Sequence, residues 1–243
     1  MCQDCGCSVT VAEHVPLVKP LLERNAAEAR HNRAHFDAHG VLAVNLMSAP
    51  GSGKTLLLEA TIRALPEELR CAVIEGDLET ENDAARIRRH GVPAIQITTG
   101  SACHLDAHMV HHALHKLDLD GLALLFIENV GNLVCPASFA LGAHRDVVLV
   151  SVPEGDDKPE KYPVMFRHAD LVLVTKADLL GVIDDFEVAN VTRHVRALGN
   201  AAPVVAISAR TGLGLDFWLE WLRAQSARQH DAAPERVAAA GVI

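Results

Sequence analysis

Short, continuous apolar runs alternate along most of this chain with segments in which apolar residues recur every three or four positions. The apolar runs predict strands at residues 41–47, 71–76, 94–98, 122–128, 146–151, 170–175 and 203–208. The amphipathic segments predict helices at residues 53–65, 81–90, 103–117, 160–168, 186–198 and 214–227. Apolar strands separated by helices are typical of a mostly parallel sheet with helices on both faces. The pattern therefore predicts an α/β fold.

The segments on either side of this region have a different pattern. Residues 1–16 form a tail that carries cysteines, and residues 17–40 are polar and alanine-rich, which predicts a helical arm. We expect the main domain to span residues 41–227. Residues 228–243 are alanine-rich and charged, which predicts a frayed C-terminal tail.

Composition narrows the class of protein. The apolar fraction of 49% over 243 residues is ample for one large core, and no apolar run is long enough to span a membrane. A net charge of −9 argues against a nucleic-acid partner. The N-terminus lacks a basic segment followed by an apolar run, so we expect no secretory signal and a cytoplasmic location. The six cysteines are then expected to be thiols or metal ligands.

A glycine-rich stretch, SAPGSGKT, lies between the first predicted strand and the first helix of the main domain. This layout predicts a P-loop, whose backbone N–H groups surround phosphate oxygens at a helix N-terminus. Lys54 is expected to reach the β and γ phosphates, and the Thr55 hydroxyl to bind Mg²⁺. Ser48 replaces the usual first glycine, which an ordinary turn tolerates. The residues expected to bind the phosphates are Gly51, Ser52, Gly53, Lys54 and Thr55.

A second stretch, TKAD, indicates which base is bound, because it is close to the Asn-Lys-x-Asp signature of GTPases. The Asp178 carboxylate can accept from N1–H and the exocyclic amine of guanine, whereas adenine would leave it unpaired. We expect Lys176 to lie over the purine and Ser208-Ala209 to contact guanine O6. Thr175 replaces the usual asparagine, so the amide that braces the loop is expected to be missing.

Two carboxylates at predicted strand ends are candidates for Mg²⁺ binding and hydrolysis. Asp77 and Glu128 each follow an apolar strand, at the edge where such sheets bind ligands. One can hold Mg²⁺ and the other can orient the attacking water, and the sequence leaves the two roles open. Together with Lys54 they are the predicted catalytic residues. No glutamine or arginine finger is evident near the γ-phosphate, so slow intrinsic hydrolysis is expected, completed by a partner or by dimerisation.

Cysteines occur in two candidate metal sites. Cys2, Cys5 and Cys7 crowd the N-terminus, where three thiolates and the Met1 amine suit Ni²⁺. Cys71 starts a strand and is read as a core residue.

The second candidate site combines Cys103, His104 and Cys135. These residues follow two successive strands on the nucleotide edge of the sheet and suit Zn²⁺ or Ni²⁺ with an open position. Three ligands from one chain also suit a site completed across a two-fold dimer. A helix cap next to a buried thiol is the alternative.

Histidines recur along two predicted helices. His104, His108, His111 and His115 share one helix face, and we hypothesise that this stripe buffers metal or passes it on. A solvated face is the alternative, and it is the expected reading for His31, His35 and His39, which repeat every four residues.

The motifs CxxCGC, SxPGSGKT, EGD, CHLD, ENVGNLVCP, EGDDKPEKYP, TKAD and ISA together resemble the HypB family of GTPases, which help insert nickel into [NiFe]-hydrogenase. The resemblance implies a P-loop GTPase fold of the SIMIBI type. It also implies a nucleotide-dependent homodimer with nickel or zinc at Cys103, His104 and Cys135. The N-terminal cysteines match the family's high-affinity nickel motif, while the long histidine-rich tract of some members is absent. Lys158 and Lys161 match a stretch near the nucleotide and the dimer interface.

The leading prediction is therefore a GTP-hydrolysing nickel metallochaperone whose GTP-dependent dimerisation controls a Cys/His metal site. The implied cofactors are GTP/GDP, Mg²⁺, Ni²⁺ and Zn²⁺. The implied partners are an accessory nickel-insertion protein and a hydrogenase large subunit precursor, with no nucleic acid and no membrane. Three alternatives stay open: a urease-type nickel GTPase, a metal-buffering or sensing protein with a structural nucleotide, and a P-loop kinase, in which TKAD and ISA would have no role.

Overall fold

The computed structural model describes residues 15–77, 81–100 and 102–232. The predicted N-terminal nickel ligands Cys2, Cys5 and Cys7 lie outside these residues. The division of the chain at residues 16, 40 and 227 stays a prediction.

The described residues form one seven-stranded sheet in the order β3-β2-β4-β1-β5-β6-β7, with every neighbouring pair parallel. The strands are β1 Leu42–Ser48, β2 Cys71–Asp77, β3 Ala94–Thr98, β4 Leu124–Glu128, β5 Arg145–Ser151, β6 Leu171–Thr175 and β7 Val204–Ala206. All seven predicted strands are present, so the α/β prediction is confirmed. Because the strands are parallel, their carboxyl ends meet at one edge of the sheet.

Helices cover both faces of this sheet. They are α1 Val15–His39, α2 Lys54–Ala64, α3 Asn82–Arg88, α4 Ala107–Leu114, α5 Lys158–Lys161, α6 Pro163–Arg167, α7 Val188–Ala197 and α8 Leu215–Ala232. None of these described helices has the length and apolar character that crossing a membrane requires.

Helix α4 begins later than the sequence predicts. The predicted start was residue 103, but the helix starts at Ala107 because the Asp106 side chain accepts from the Met109 N–H at 2.8 Å and caps it. Cys103 and His104 therefore lie in the loop before α4. His104 is not on the helix face where the predicted stripe placed it.

Two other helix predictions are corrected. The helix predicted at residues 160–168 is two short helices, because Pro163 begins α6 at a position where its missing N–H does no harm. Helix α8 continues through Ala232 rather than fraying from residue 228. Its Gln229 amide donates to the Asp37 carboxylate of α1 at 2.6 Å, which holds the last turn against the domain.

Alternate residues of β1 supply the two layers of the core. Leu42, Val44 and Leu46 pack with α2, α3 and α8, where Trp218 is fully buried and donates its indole N–H to the Thr61 hydroxyl at 2.8 Å. The opposite face packs against α1 and α4 at one end and against α6 and α7 at the other. The period-2 alternation thus positions the P-loop between two filled layers.

Helix α1 is joined to the rest of the fold by apolar and polar contacts. Its own Phe36 side chain is fully buried. Its Asn32 amide donates to the carbonyls of Ala107 at 2.8 Å and Leu141 at 3.1 Å. A Cβ on Gly142 would lie 2.4 Å from the Ala29 carbonyl oxygen, so only glycine allows this close approach. The helix therefore packs directly on α4 and on the loop that follows β4.

Candidate functional site

The SAPGSGKT stretch forms a tight turn between β1 and α2. Gly51 and Gly53 have φ angles of 74° and 91°, which glycine adopts without strain, and α2 begins at Lys54. Ser48 ends β1 outside the positive-φ region, so it does not need to be glycine. Its hydroxyl accepts from Lys54 Nζ at 2.9 Å and holds the lysine across the loop.

The P-loop is braced from two neighbouring strands. The asparagine amide is missing, as expected, and the Thr175 hydroxyl braces the loop instead by donating to the Ser52 carbonyl at 2.7 Å. The Ser52 hydroxyl donates to Glu154 Oε1 at 2.6 Å, and the same oxygen accepts from the backbone N–H and the hydroxyl of Ser151. Sequence reasoning gave Glu154 no role, although it opens the motif EGDDKPEKYP three residues after β5.

The hydroxyl expected to bind Mg²⁺ lies against one of the two predicted carboxylates. Thr55 Oγ1 donates to Glu128 Oε1 at 3.0 Å, and Lys54 Nζ lies 4.0 Å from the same oxygen. The other Glu128 oxygen is buried as well. A hydroxyl and a carboxylate are oxygen ligands of the kind that Mg²⁺ takes.

Besides the predicted Asp77 and Glu128, a third carboxyl group, to which sequence reasoning gave no role, lies beside Glu128. Glu75 of β2 is in register with Glu128 of β4, and both side chains are buried. Burial first, and then the Glu128 carboxylate, raise the pKa of Glu75 to about 11. Glu75 is therefore protonated at neutral pH and donates to Glu128. Burial raises the pKa of Glu128 as well, and the Lys54 charge and the hydrogen bonds from Glu75 and Thr55 oppose that rise. A glutamate inside the apolar run CAVIEGD was the available signal.

A cavity of about 390 Å³ opens at the carboxyl ends of β1, β2 and β4. Its walls include the P-loop, Asp77 and Glu128, so the structure brings the predicted phosphate and Mg²⁺ residues together. Arg86 of α3 also lines the cavity. Its guanidinium donates to Glu59 at 2.6 Å and to Asp83 at 3.0 Å.

A second cavity, of about 250 Å³, lies on the other side of the P-loop. It is lined by the predicted base-binding residues Lys176, Asp178, Ser208 and Ala209. Asp178 Oδ1 accepts from the Ser208 hydroxyl at 2.6 Å, which lowers the pKa of the carboxyl group below its ordinary value. Lys176 has a φ of 55°, an uncommon conformation for a residue with a side chain. Arg210, which sequence reasoning missed, completes the lining.

The predicted metal ligands of the main domain converge. Cys103 Sγ lies 2.8 Å from Cys135 Sγ and 3.7 Å from His104 Nδ1. Among the described residues this is the one group of three such side chains whose ligand atoms lie within 4.8 Å of one another. Two thiolates and an imidazole suit Ni²⁺ or Zn²⁺, and the partly exposed position leaves room for further ligands.

The protonation of these ligands is set by their surroundings. The His104 ring stacks on Phe139 with centroids 3.9 Å apart, and burial lowers the pKa of the imidazole, which favours the neutral form that binds metal. The contact with the Cys103 thiol raises the pKa of Cys135. A cation between the two sulfurs would reverse this effect, because a coordinating thiol is deprotonated. Cys71, read as a core residue, is buried and its pKa is raised to about 11 by desolvation.

One short segment joins the phosphate cavity to the metal ligands. Residues 128–131 line that cavity, and four positions later the segment carries Cys135. The buried Asn129 side chain accepts from the Leu105 N–H at 3.2 Å, and the Asn132 amide donates to the Cys103 carbonyl at 3.2 Å. The segment therefore also holds the loop that carries Cys103 and His104.

Two glycines allow the loops that carry Cys103 and Cys135 to pack closely against the nucleotide site. A Cβ on Gly131 would lie 2.8 Å from Pro50 Cα in the P-loop. A Cβ on Gly76, next to Asp77, would lie 2.8 Å from the Leu105 side chain. Neither glycine leaves space for a side chain, so the loops that carry the cysteines pack closely against the nucleotide site.

Lys158 and Lys161, the two lysines in the stretch that matches the family, do not line the phosphate cavity. Lys161 forms an ion pair with Asp157 at 2.5 Å, and the Lys158 ammonium lies 5.9 Å from the centre of the Tyr162 ring.

The chain is similar to a known family model and to known proteins. Residues 42–206 match the family model described as "CobW/HypB/UreG, nucleotide-binding domain". HypB of Azotobacter vinelandii, a hydrogenase maturation factor, is 53% identical over 206 residues, which are 84% of this chain and 67% of that protein. HypB from Helicobacter pylori, solved in complex with nickel, is 41% identical with a TM-score of 0.81, covering 85% of this chain and 97% of that one. HypB from Archaeoglobus fulgidus is 41% identical with a TM-score of 0.78, covering 84% and 99%.

The fold and the P-loop site define a nucleotide-binding protein with the P-loop GTPase architecture. The identity and coverage of the relatives show further that the chain belongs to the HypB family of hydrogenase maturation factors.

Proposed function

We propose that this protein hydrolyses GTP and uses the nucleotide cycle to control nickel held by Cys103, His104 and Cys135. The observation that carries the proposal is the segment 128–135, which lines the phosphate cavity at one end and bears Cys135 at the other. Control requires that the metal site have different affinities in the GTP and GDP states. A γ-phosphate that moves the Glu128 end of the segment would shift Cys135 relative to Cys103.

Hydrolysis is assigned to side chains that line the phosphate cavity or lie beside it. Lys54 leaves Ser48 to contact the β and γ phosphates and offsets their charge. Thr55 and one of the two carboxylates, Asp77 or Glu128, would hold Mg²⁺, which would supply positive charge at the phosphates. The other carboxylate would orient the attacking water, and the protonated Glu75 would hold Glu128 in position. Arg86 is engaged by Glu59 and Asp83, which supports slow turnover by the isolated chain.

Assembly and partners belong to the same proposal. Three ligands at a partly exposed site support a metal centre completed by a second copy of the chain when GTP is bound. Cys2, Cys5 and Cys7 are proposed to bind nickel at the N-terminus, and Zn²⁺ is proposed as an alternative occupant of the Cys/His site. An accessory nickel-insertion protein and a hydrogenase large subunit precursor are the proposed partners, since the family's members are hydrogenase maturation factors.

A metal-buffering protein with a structural nucleotide is the second candidate, because three ligands close to one another also suit simple metal storage. The two candidates differ in turnover. We expect slow multiple turnover of GTP, a change in that rate on adding Ni²⁺, and a loss of at least about 10²-fold in Lys54→Ala. Steady-state phosphate release measures all three.

The matched control is the double variant Cys103→Ser/Cys135→Ser, which keeps the nucleotide residues and the N-terminal cysteines. Its turnover is expected to be insensitive to Ni²⁺. A wild-type rate no higher than that of Lys54→Ala would favour the buffering protein. A rate that Ni²⁺ changes equally in both proteins would contradict the assignment of control to this site.

A further inference from the structure

Helix α4 carries two pairs of histidines whose ring nitrogens face each other. His108 Nε2 and His112 Nε2 lie 3.1 Å apart, and His111 Nε2 and His115 Nε2 lie 3.2 Å apart. Each pair spans one helical turn at the i, i+4 spacing, and His115 continues the helical backbone with φ −64° and ψ −14°. Sequence reasoning grouped these histidines into one stripe with His104 and omitted His112.

The separation within each pair suits a shared divalent cation. Imidazole nitrogens bind Zn²⁺ at about 2.0–2.1 Å, so two neighbouring ligands on one ion lie roughly 3.0–3.4 Å apart. Without metal, a neutral pair at this distance shares one proton in an N–H···N bond. When the donor ring changes tautomer, with its proton lost from Nε2 to water and another taken up at Nδ1, both Nε2 lone pairs are free to bind a cation with no rearrangement of the helix.

The surroundings favour the metal-binding form of both pairs. Glu28 of α1 lies 3.5 Å from His108 Nδ1, so it favours a proton on Nδ1 and leaves the Nε2 lone pair directed at His112. The His31 ring meets the His111 ring edge-on with centroids 4.9 Å apart. Burial, and then the charges of His115 and His31, lower the pKa of His111 and favour the neutral form.

The two pairs do not merge into one site. Among the described residues, only Cys103, His104 and Cys135 bring three such ligand atoms within 4.8 Å of one another. Each histidine pair therefore supplies two ligands, and because His108, His112 and His115 are exposed, water can supply the others. Two imidazoles and water hold a borderline cation such as Ni²⁺, Cu²⁺ or Zn²⁺ less tightly than a site with two thiolates.

We propose that α4 bears two separate bis-histidine sites for borderline divalent cations, one at His108/His112 and one at His111/His115. The helix starts three residues after His104, so these sites lie beside the Cys/His centre. Holding nickel loosely near that centre would raise its local supply, a role that rests on the proposed function. Metal binding by the pairs does not rest on it.

Nickel titration of the full-length, untagged protein tests the proposal, with a phosphine reductant in place of a thiol. Equilibrium dialysis counts bound Ni²⁺, and thiolate-to-nickel charge-transfer absorption reports the cysteine sites separately. We expect two equivalents that add no charge-transfer absorption. His112→Gln and His115→Gln should each lose one of these equivalents, the double variant should lose both, and the absorption should stay unchanged.

The pair His35 and His39 provides a matched control at the same i, i+4 spacing. There the His39 Nδ1 atom is engaged by its own helix, at 2.9 Å from the His35 carbonyl oxygen. His35→Gln/His39→Gln should therefore keep both imidazole-only equivalents. Circular dichroism checks that all variants stay folded.

Two results would overturn the proposal: a wild-type protein in which every bound nickel adds thiolate absorption, or full retention of the imidazole-only equivalents in His112→Gln/His115→Gln. If no protein shows thiolate-to-nickel absorption, the proposed function is contradicted. The number of imidazole-only nickel equivalents still decides whether the histidine pairs bind metal.

Discussion

At the scale of single residues, the base cavity depends on one ionised carboxylate. Asp178 is held by the Ser208 hydroxyl, which lowers the pKa of the carboxyl group and keeps it charged at neutral pH. A charged carboxylate accepts the two donors that guanine presents, and any base lacking them would leave it unpaired. Lys176 and Ala209 complete the same cavity. Base selectivity should therefore follow the chemistry of this one side chain.

Asp178→Asn should shift the preference of the protein from GTP toward xanthosine triphosphate, because the C2 oxygen of xanthine accepts from the new amide. We expect a change of about 10²-fold or more in the ratio of the two dissociation constants, since each unpaired polar group costs about 1–3 kcal/mol. Competition of the two nucleotides against a fluorescent GDP analogue measures the ratio. Full retention of GTP selectivity would remove Asp178 from the base site.

Residue chemistry could be predicted where a short motif carries it. Lys54, Thr55 and Asp178 each lie in a stretch whose spacing defines their role, and the structure places them around two cavities beside the P-loop. Contacts between distant positions could not be predicted in this way. The Thr175 brace on Ser52 joins residues 123 positions apart, and the shared proton of Glu75 depends on the register of β2 with β4.

At the scale of elements, the segment 128–135 acts as a connection between two sites. Its Asn129 and Asn132 side chains hold the loop that carries Cys103, and its Gly131 packs against Pro50 of the P-loop. A helix that starts at residue 103, as predicted, would not allow this arrangement. The Asp106 cap instead sets the start of α4 at Ala107. Because residues 103–105 lie in a loop and not in the helix, the Cys103 thiol can face the Cys135 thiol.

Gly131→Ala should disturb both sites together. The new methyl group would lie 2.8 Å from a backbone atom of Pro50, which cannot move aside without moving the P-loop. An overpacked contact costs about 1–3 kcal/mol, so we expect GDP affinity to fall by roughly tenfold or more. Nickel affinity at the Cys/His site should fall in the same variant.

Val134→Ala is the control for that change, because Val134 lies in the same segment and its side chain is exposed. Titrations with a fluorescent GDP analogue and with Ni²⁺ should leave this variant close to wild type. If Gly131→Ala alters neither affinity, the contact with Pro50 does not connect the two sites.

At the scale of the whole molecule, the parallel sheet brings the phosphate cavity and the Cys/His ligands to one edge. All seven strands were predictable because each contains a short apolar run. Their order in the sheet was not, since β1 pairs with β4 and β5, far along the chain. That order places the P-loop next to the Glu128 end of β4, and the proposed control of the metal by the nucleotide rests on this arrangement.

The most direct test of this control is the nickel dissociation constant of the Cys103/His104/Cys135 site in two nucleotide states. A Cys2→Ser/Cys5→Ser/Cys7→Ser variant removes the predicted N-terminal ligands, so that thiolate-to-nickel absorption reports this site alone. We expect the constants measured with GDP and with a non-hydrolysable GTP analogue to differ by about 5-fold to 150-fold, the usual range of coupling between two sites. Equal constants in the two states would contradict the account.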